Sequence, residues 1–195
     1  MQHPRKDRSR EHLTAEEVKK LLTAAKQAED TRYPERDYCL LYLIVRHGLR
    51  ATEACNLKIS DIDLLNKTIY IRRLKNGKPA VQPIYNGGEL KSLHEWIRIR
   101  SSLPQAGGNL FISERQAPLT RAGVDKIVRK YAEAAGLGDL NVHAHMLRHS
   151  TGYALANQGA DTRLIQDYLG HQNIQNTVQY TALNPERYKT INWNF

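Results

Sequence analysis

Apolar residues in this chain recur every three to four positions in one segment after another, and several of those segments stop at a glycine. Each such segment can bury its stripe only against another element, so the pattern demands a helical fold. LTAEEVKKLLTAAKQ opens on Thr14 with Glu17 three residues later, a capping box, then repeats Val18, Leu21, Leu22 and Ala25 at helical spacing. A second helix is predicted from Pro34 through DYCLLYLIV to a left-handed cap at Gly48. ATEACNL after Arg50 reads as a short helix and SDIDLLN as a turn. GELKSLHEWIRIRSSL sets Leu90, Leu93, Trp96 and Ile97 on one face. TRAGVDKIVRKYAEAAG stops at Gly136, HMLRHSTGYALANQG at Gly159 and DTRLIQDYLGH at Gly170, with NIQNTVQYTAL as a last helix.

Only TIYIRR and AVQPI look like strands, on either side of LKNGKP, where Asn76-Gly77 is the usual tight-hairpin dipeptide. NLFIS is a short strand or an extended piece. The fold class expected is mainly α with a small antiparallel β-sheet (α+β). Residues 1–12 read as a flexible basic arm, 13–184 as one domain, and 185–195 as a tail with Trp193 and Phe195 as apolar anchors.

Charge narrows the function. Lys and Arg number 29 against 20 Asp and Glu, a net +9, which favours a polyanion such as nucleic acid as partner. The longest apolar run, Cys39 to Val45, is too short to span a bilayer, and the N-terminus has no apolar secretory core. Two cysteines, Cys39 and Cys55, in apolar helical surroundings fit a reducing cytoplasm better than a disulfide framework.

Four short motifs carry groups that can do chemistry. In HMLRH, His145 and Arg148 share one helix face, pairing a proton carrier with a guanidinium fork that matches two phosphate oxygens. In GLR, Arg50 follows the helix-ending Gly48, and Glu53 is placed to accept from its guanidinium. In LKNGK, Lys75 begins a turn whose tip can set an ammonium against a leaving oxygen, and it is preferred over Lys78. In LGHQNIQNTVQYT, Tyr180 lies nine residues after His171. On one continuous helix those two side chains would point to opposite faces. A stop at Gly170 and a new cap at Asn173 would free His171 to sit in a turn and let the pair converge. Each motif alone also has a bland reading: a basic helix face, a surface Arg–Glu pair, a solvated lysine, a packed aromatic.

Arg50, Lys75, His145, Arg148, His171 and Tyr180, in that order, resemble the catalytic set of the tyrosine recombinases, or integrase family. TIYIRRLKNG, HMLRHSTGYALANQGADTRLIQDYLGH and NTVQYTALNPERY resemble most closely the fimbrial phase-variation DNA invertases of enterobacteria. That resemblance implies a recombinase catalytic domain without the separate N-terminal helical domain of most members. Ala144 stands where many members have proline before the first motif histidine.

The resemblance also implies a reaction. Tyr180 attacks a DNA phosphorus, forms a 3′-phosphotyrosyl bond and expels the 5′ oxygen, without metal, ATP or other cofactor. Arg50 and Arg148 bind the non-bridging oxygens, His145 takes the phenol proton, Lys75 protonates the leaving oxygen, His171 positions a phosphate oxygen and Glu53 supports Arg50. The implied partners are double-stranded DNA with inverted-repeat sites, a homotetramer on DNA and accessory DNA-bending proteins, with no membrane, in a bacterial cytoplasm at the nucleoid. Lys78, Arg121, Lys126, Arg129 and Arg163 are candidates for DNA contact, with a solvated face as the alternative for each.

Four rival readings remain at this level. They are a DNA-binding regulator that does not cut, an integrase- or excisionase-type recombinase of a mobile element, a relaxing topoisomerase with the same chemistry, and metal binding by His143, His145 and His149 in HAHMLRH.

Overall fold

The computed structural model describes residues 10–74, 77–85, 87–103 and 107–182. In chain order these form α1 (Ala15–Lys26), α2 (Pro34–His47), α3 (Ala51–Asn56), β1 (Ile62–Asp63), β2 (Thr68–Ile71), β3 (Ala80–Pro83), α4 (Gly88–Ser101), α5 (Arg121–Ala134), α6 (Ala144–Asn157), α7 (Thr162–Leu169) and α8 (Gln175–Thr181). The capping box at α1 is present, with Thr14 accepting from the Glu17 amide and Glu17 accepting from the Thr14 amide at 2.8 Å.

α2 is the central rod. It packs against α1, α4 and α6, and α5 covers α1 and α3. Its buried stripe of Leu40, Leu41, Leu43 and Ile44 meets Trp96, Phe111, Val128, Tyr131 and Leu147 in one main core. A second, small core under α6 to α8 contains Ala156, Ile165, Leu169 and Tyr180. The helix end at Gly48 joins the two. Gly48 is left-handed (φ 58°), and a Cβ there would lie 2.4 Å from Leu169 Cδ2, so α2 and α7 approach this closely only over a glycine.

The sheet runs β1-β2-β3, antiparallel throughout, with Ile69 opposite Gln82 and Ile71 opposite Ala80. Ile69 and Ile71 face the core while Tyr70 is exposed, the expected strand alternation. One expectation needs correcting. The segment read as a turn, SDIDLLN, contributes the third strand and a 3-10 turn over Ile59–Asp61. The described β2–β3 ladder ends with Ile71 opposite Ala80, and the tight-hairpin reading at Asn76-Gly77 falls on Asn76, which lies outside the described residues. Just beyond the ladder, the buried Arg73 guanidinium bonds His47 O at 3.1 Å, Tyr168 O at 2.5 Å and Glu53 at 2.8 Å.

NLFIS is extended rather than part of the sheet, held by isolated bridges of Lys58 with Asn109 and of Ile112 with Pro118. The last residues of the expected arm lie on the domain: Arg10 pairs with Glu17 at 2.5 Å, and His12 stacks on Tyr153 with ring centroids 3.9 Å apart. The tail with Trp193 and Phe195, like Lys75, lies outside the described residues. Cys39 and Cys55 are buried free thiols, and no helix among the described residues is long and apolar enough to cross a membrane.

Candidate active site

Glu53 is the anchor of the site. Arg50 is the N-cap of α3, and Glu53 sits three residues into that helix. Its Oε2 accepts from the Arg50 amide at 3.0 Å and its Oε1 from Arg50 Nη1 at 2.6 Å, so backbone and fork are fixed together. Arg73 Nη1 donates to the same carboxylate at 2.8 Å, and Arg148 Nη1 lies 3.8 Å away. Burial raises the Glu53 pKa, but Arg73, Arg50 and Arg148 outweigh it and hold the carboxyl below its ordinary value. Three guanidinium groups thus converge on one buried anion.

Arg148 rises from the middle of α6 and is 2% exposed. It donates from Nη1 to Gly48 O, and from Nη2 to Leu169 O at 2.7 Å. Those carbonyls cap the C-terminal ends of α2 and α7, where the helix dipoles present negative charge to a cation. Two helix ends therefore set the plane of the fork. The Arg50 side chain keeps 26% of its surface exposed and opens on a cleft of about 550 Å³ that Arg121, Asp125, His143 and His145 also line.

The break at Gly170 occurs as the sequence predicts. Gly170 is left-handed (φ 66°), and a Cβ there would meet Arg73 Cγ at 2.7 Å. Asn173 Oδ1 accepts from the Gln175 amide at 2.9 Å, although the helix cap itself is Ile174. His171 sits in the turn with Nδ1 bonded to Thr177 Oγ1 at 2.9 Å, and its ring stacks on Tyr180 with centroids 6.3 Å apart. Burial first, then Arg148 and Arg50, push the His171 pKa down to about 3, so the ring is neutral at pH 7.

Tyr180 is 2% exposed, so its ring is a packed core aromatic as well as a site group. It lies flat on α6 at Gly152, where a Cβ would stand 2.6 Å from Cζ. Its hydroxyl bonds Nδ1 of His149 at 3.0 Å, and His149 Nε2 bonds Nε2 of His145 at 2.9 Å. Burial raises the phenol pKa to about 12, with Arg148 and Arg50 pulling the other way, so the hydroxyl lies in the field of both forks. Partial burial, with Arg148, His143 and Arg50 nearby, lowers the pKa of His145.

Of the six predicted residues, Arg50 and His145 line this cleft, Arg148 lies behind them beside Glu53, and Tyr180 is buried in contact with His171; Lys75 is not described. Among the proposed DNA contacts, Arg121 lines the cleft beside Arg50, while Lys78 and Arg163 line a second recess at His171. Lys126 and Arg129 are exposed on α5. No metal-binding group of three or more His, Cys, Asp or Glu side chains occurs among the described residues, and His149 is engaged by Tyr180 instead.

Sequence reasoning missed Arg73 as part of the network and His149 as a partner of the tyrosine. Arg73 carried no signal, being one of two adjacent arginines at a strand end. His149 carried a weak one: it lies four residues from His145, hence one helical turn along the same face. Ala144 retains an amide where proline would not, and that N–H donates to Asp125 Oδ1 at 3.1 Å, tying the start of α6 to α5.

Comparison with known proteins identifies the family. The Phage integrase family matches residues 11–187. Type 1 fimbriae regulatory protein FimB of Escherichia coli (strain K12) is 47% identical over 192 residues, 98% of this chain and 94% of that protein. Type 1 fimbriae regulatory protein FimE of the same strain is 42% identical over 181 residues, 92% of this chain and 89% of that protein. Among solved structures, XerA recombinase superposes with a TM-score of 0.79 at 30% identity, covering 91% of this chain and 62% of that one. XerH site-specific recombinase, in a pre-cleavage complex with its difH substrate, also gives 0.79, at 31% identity, covering 92% of this chain and 52% of that one. The chain belongs to the phage integrase family, the tyrosine-type site-specific DNA recombinases.

Proposed function

We propose that this recombinase inverts a DNA segment that controls fimbrial expression, with Tyr180 as nucleophile and Arg50, Lys75, His145, Arg148 and His171 as its catalytic partners. The supporting observation is the Tyr180 hydroxyl, buried 3.0 Å from the His149 imidazole and in the field of two guanidinium groups. FimB and FimE, named as fimbriae regulatory proteins, support the cellular role.

In the proposed reaction the Tyr180 oxygen attacks phosphorus, the 3′-phosphotyrosyl bond forms and the bond to the 5′ oxygen breaks. The energy of the broken ester is kept in the new one, so rejoining needs no ATP. A guanidinium has five N–H groups. Arg148 commits two of them to Gly48 O and Leu169 O and is held rigid by them, with donors left for a non-bridging oxygen. Donors fixed before charge develops are usually the largest contribution to such a step. His171 adds a neutral donor, Lys75 protonates the leaving oxygen, and Glu53 keeps the arginines from repelling one another. Lys78, Arg121, Lys126, Arg129 and Arg163 contact duplex DNA at inverted-repeat sites. A homotetramer, aided by accessory bending proteins, brings two sites together.

The test is covalent capture. Nicked suicide duplexes are drawn from the chromosome of the source organism, so that the cut fragment diffuses away and the protein stays attached. The wild-type chain should form an adduct mapped to Tyr180. Tyr180→Phe should bind the same duplex and form none. Binding without any adduct by the wild-type chain would replace this reading with that of a regulator that does not cut.

A further inference from the structure

We infer that His149 carries the phenol proton of Tyr180 to His145, acting as the inner member of a two-histidine relay. The inference rests on the reading of Tyr180 as nucleophile. The geometry is a continuous chain: Tyr180 Oη to His149 Nδ1 at 3.0 Å, then His149 Nε2 to His145 Nε2 at 2.9 Å. Both ring nitrogens of His149 are thereby engaged, one toward the nucleophile and one toward the cleft that His145 lines. His145, to which the reaction scheme assigns the base, is reached through His149.

The arrangement fits a relay for a second reason. A proton left on His149 would put an imidazolium on a side chain only 8% exposed, against the Arg148 and Tyr180 side chains. Passing it outward places the positive charge on His145 at the cleft, where water and DNA phosphate can solvate it. A relaying imidazole must also start neutral, with one lone pair and one N–H. Burial first, and then His145, push the His149 pKa down to about 4, which keeps it neutral at pH 7.

The step balances. The Oη–H bond of Tyr180 breaks and its proton bonds to Nδ1 of His149. At the same time the Nε2–H bond of His149 breaks, and that proton bonds to the Nε2 lone pair of His145. Tyr180 becomes phenolate, His149 remains neutral as the other tautomer, and His145 becomes imidazolium. The His149 Nδ1–H then donates to the phenolate until its electron pair forms the bond to phosphorus. Rejoining runs the same transfers backwards.

The test separates relaying from holding. Asparagine at 149 can place one polar group near the Nδ1 position and bond Tyr180, but it has nothing at Nε2. With the full-length chain and the captured duplex, His149→Asn should bind DNA as the wild type does and form adduct about 10²-fold more slowly, the usual worth of a positioned proton acceptor. Replacing Tyr180 by 3,5-difluorotyrosine, which gives up its proton more readily, should then restore most of the lost rate. The same rescue is expected in His145→Gln, which cuts the far end of the chain and keeps the test decisive if His149→Asn folds poorly. A wild-type rate in His149→Asn overturns the relay, as does a slow rate that fluorination leaves unchanged. Adduct formation by Tyr180→Phe would instead overturn the nucleophile assignment.

Discussion

Glu53→Gln is the substitution that most directly questions how the site is held together. The carboxylate is buried, 2.6 Å from Arg50 Nη1, 2.8 Å from Arg73 Nη1 and 3.8 Å from Arg148 Nη1. Unit charges 4 Å apart attract by about 4 kcal/mol at an effective dielectric near 20. Much of that is offset by the cost of taking the ions out of water, so pair energies do not simply add. Removing one member of a buried pair nevertheless costs about 3–5 kcal/mol, because the remaining charge stays buried without compensation.

Glutamine keeps the shape and an acceptor, so the loss reports charge. For a domain of this size each kcal/mol lowers Tm by about 2–4 °C, which gives a drop of roughly 6–20 °C. Differential scanning calorimetry measures it. Bound duplex should recover part of the deficit in the variant, since a phosphate supplies negative charge to Arg50 and Arg148. The pH dependence has a definite sign. The folded-state pKa of Glu53 lies below its ordinary 4.5, so its stabilisation is full above that pH and is lost as pH falls through the folded value. The gap between wild type and variant should therefore close in acid. A Glu53→Gln protein melting within about 2 °C of wild type at pH 7 would refute the reasoning.

Two further predictions concern glycines. Gly152→Ala gains about 1 kcal/mol of helix propensity against an overpacking cost of about 1–3 kcal/mol, so stability should fall by no more than about 2 kcal/mol. Its new methyl meets the Tyr180 ring at 2.6–2.7 Å, however, and must push it by about 1 Å, enough to slow adduct formation about 10²-fold; an unchanged capture rate would mean that the ring leaves α6 before it attacks. Gly170→Ala forces a left-handed alanine against Arg73 Cγ and should destabilise the fold by at least about 1–2 kcal/mol in chemical unfolding. A neutral result there would show that Arg73 can leave its place under α7 at no cost.

The helices were legible because their evidence is local. A capping box at Thr14, the proline opening α2 and the left-handed stops at Gly48, Gly159 and Gly170 depend on backbone chemistry within a few residues, and each stands where the sequence puts it. The convergence of His171 with Tyr180 was legible for the same reason, since a single left-handed glycine ends one helix and lets the next take its own direction. β1 was missed because two residues of strand gain their meaning only from the partner Ile69 and Thr68 provide.

The recombinase residues could be named from their order along the chain, but order does not say what holds them. Glu53 gathering Arg73 and Arg148, the two helix ends that seat Arg148, and the contact of His149 with Tyr180 join positions from 20 to 100 residues apart. Such contacts are set by where whole helices cross. The sequence alone determined which elements form and which reactive groups they carry; packing decided which of those groups share a proton or a charge, because both act over a few ångströms of space and are indifferent to distance along the chain.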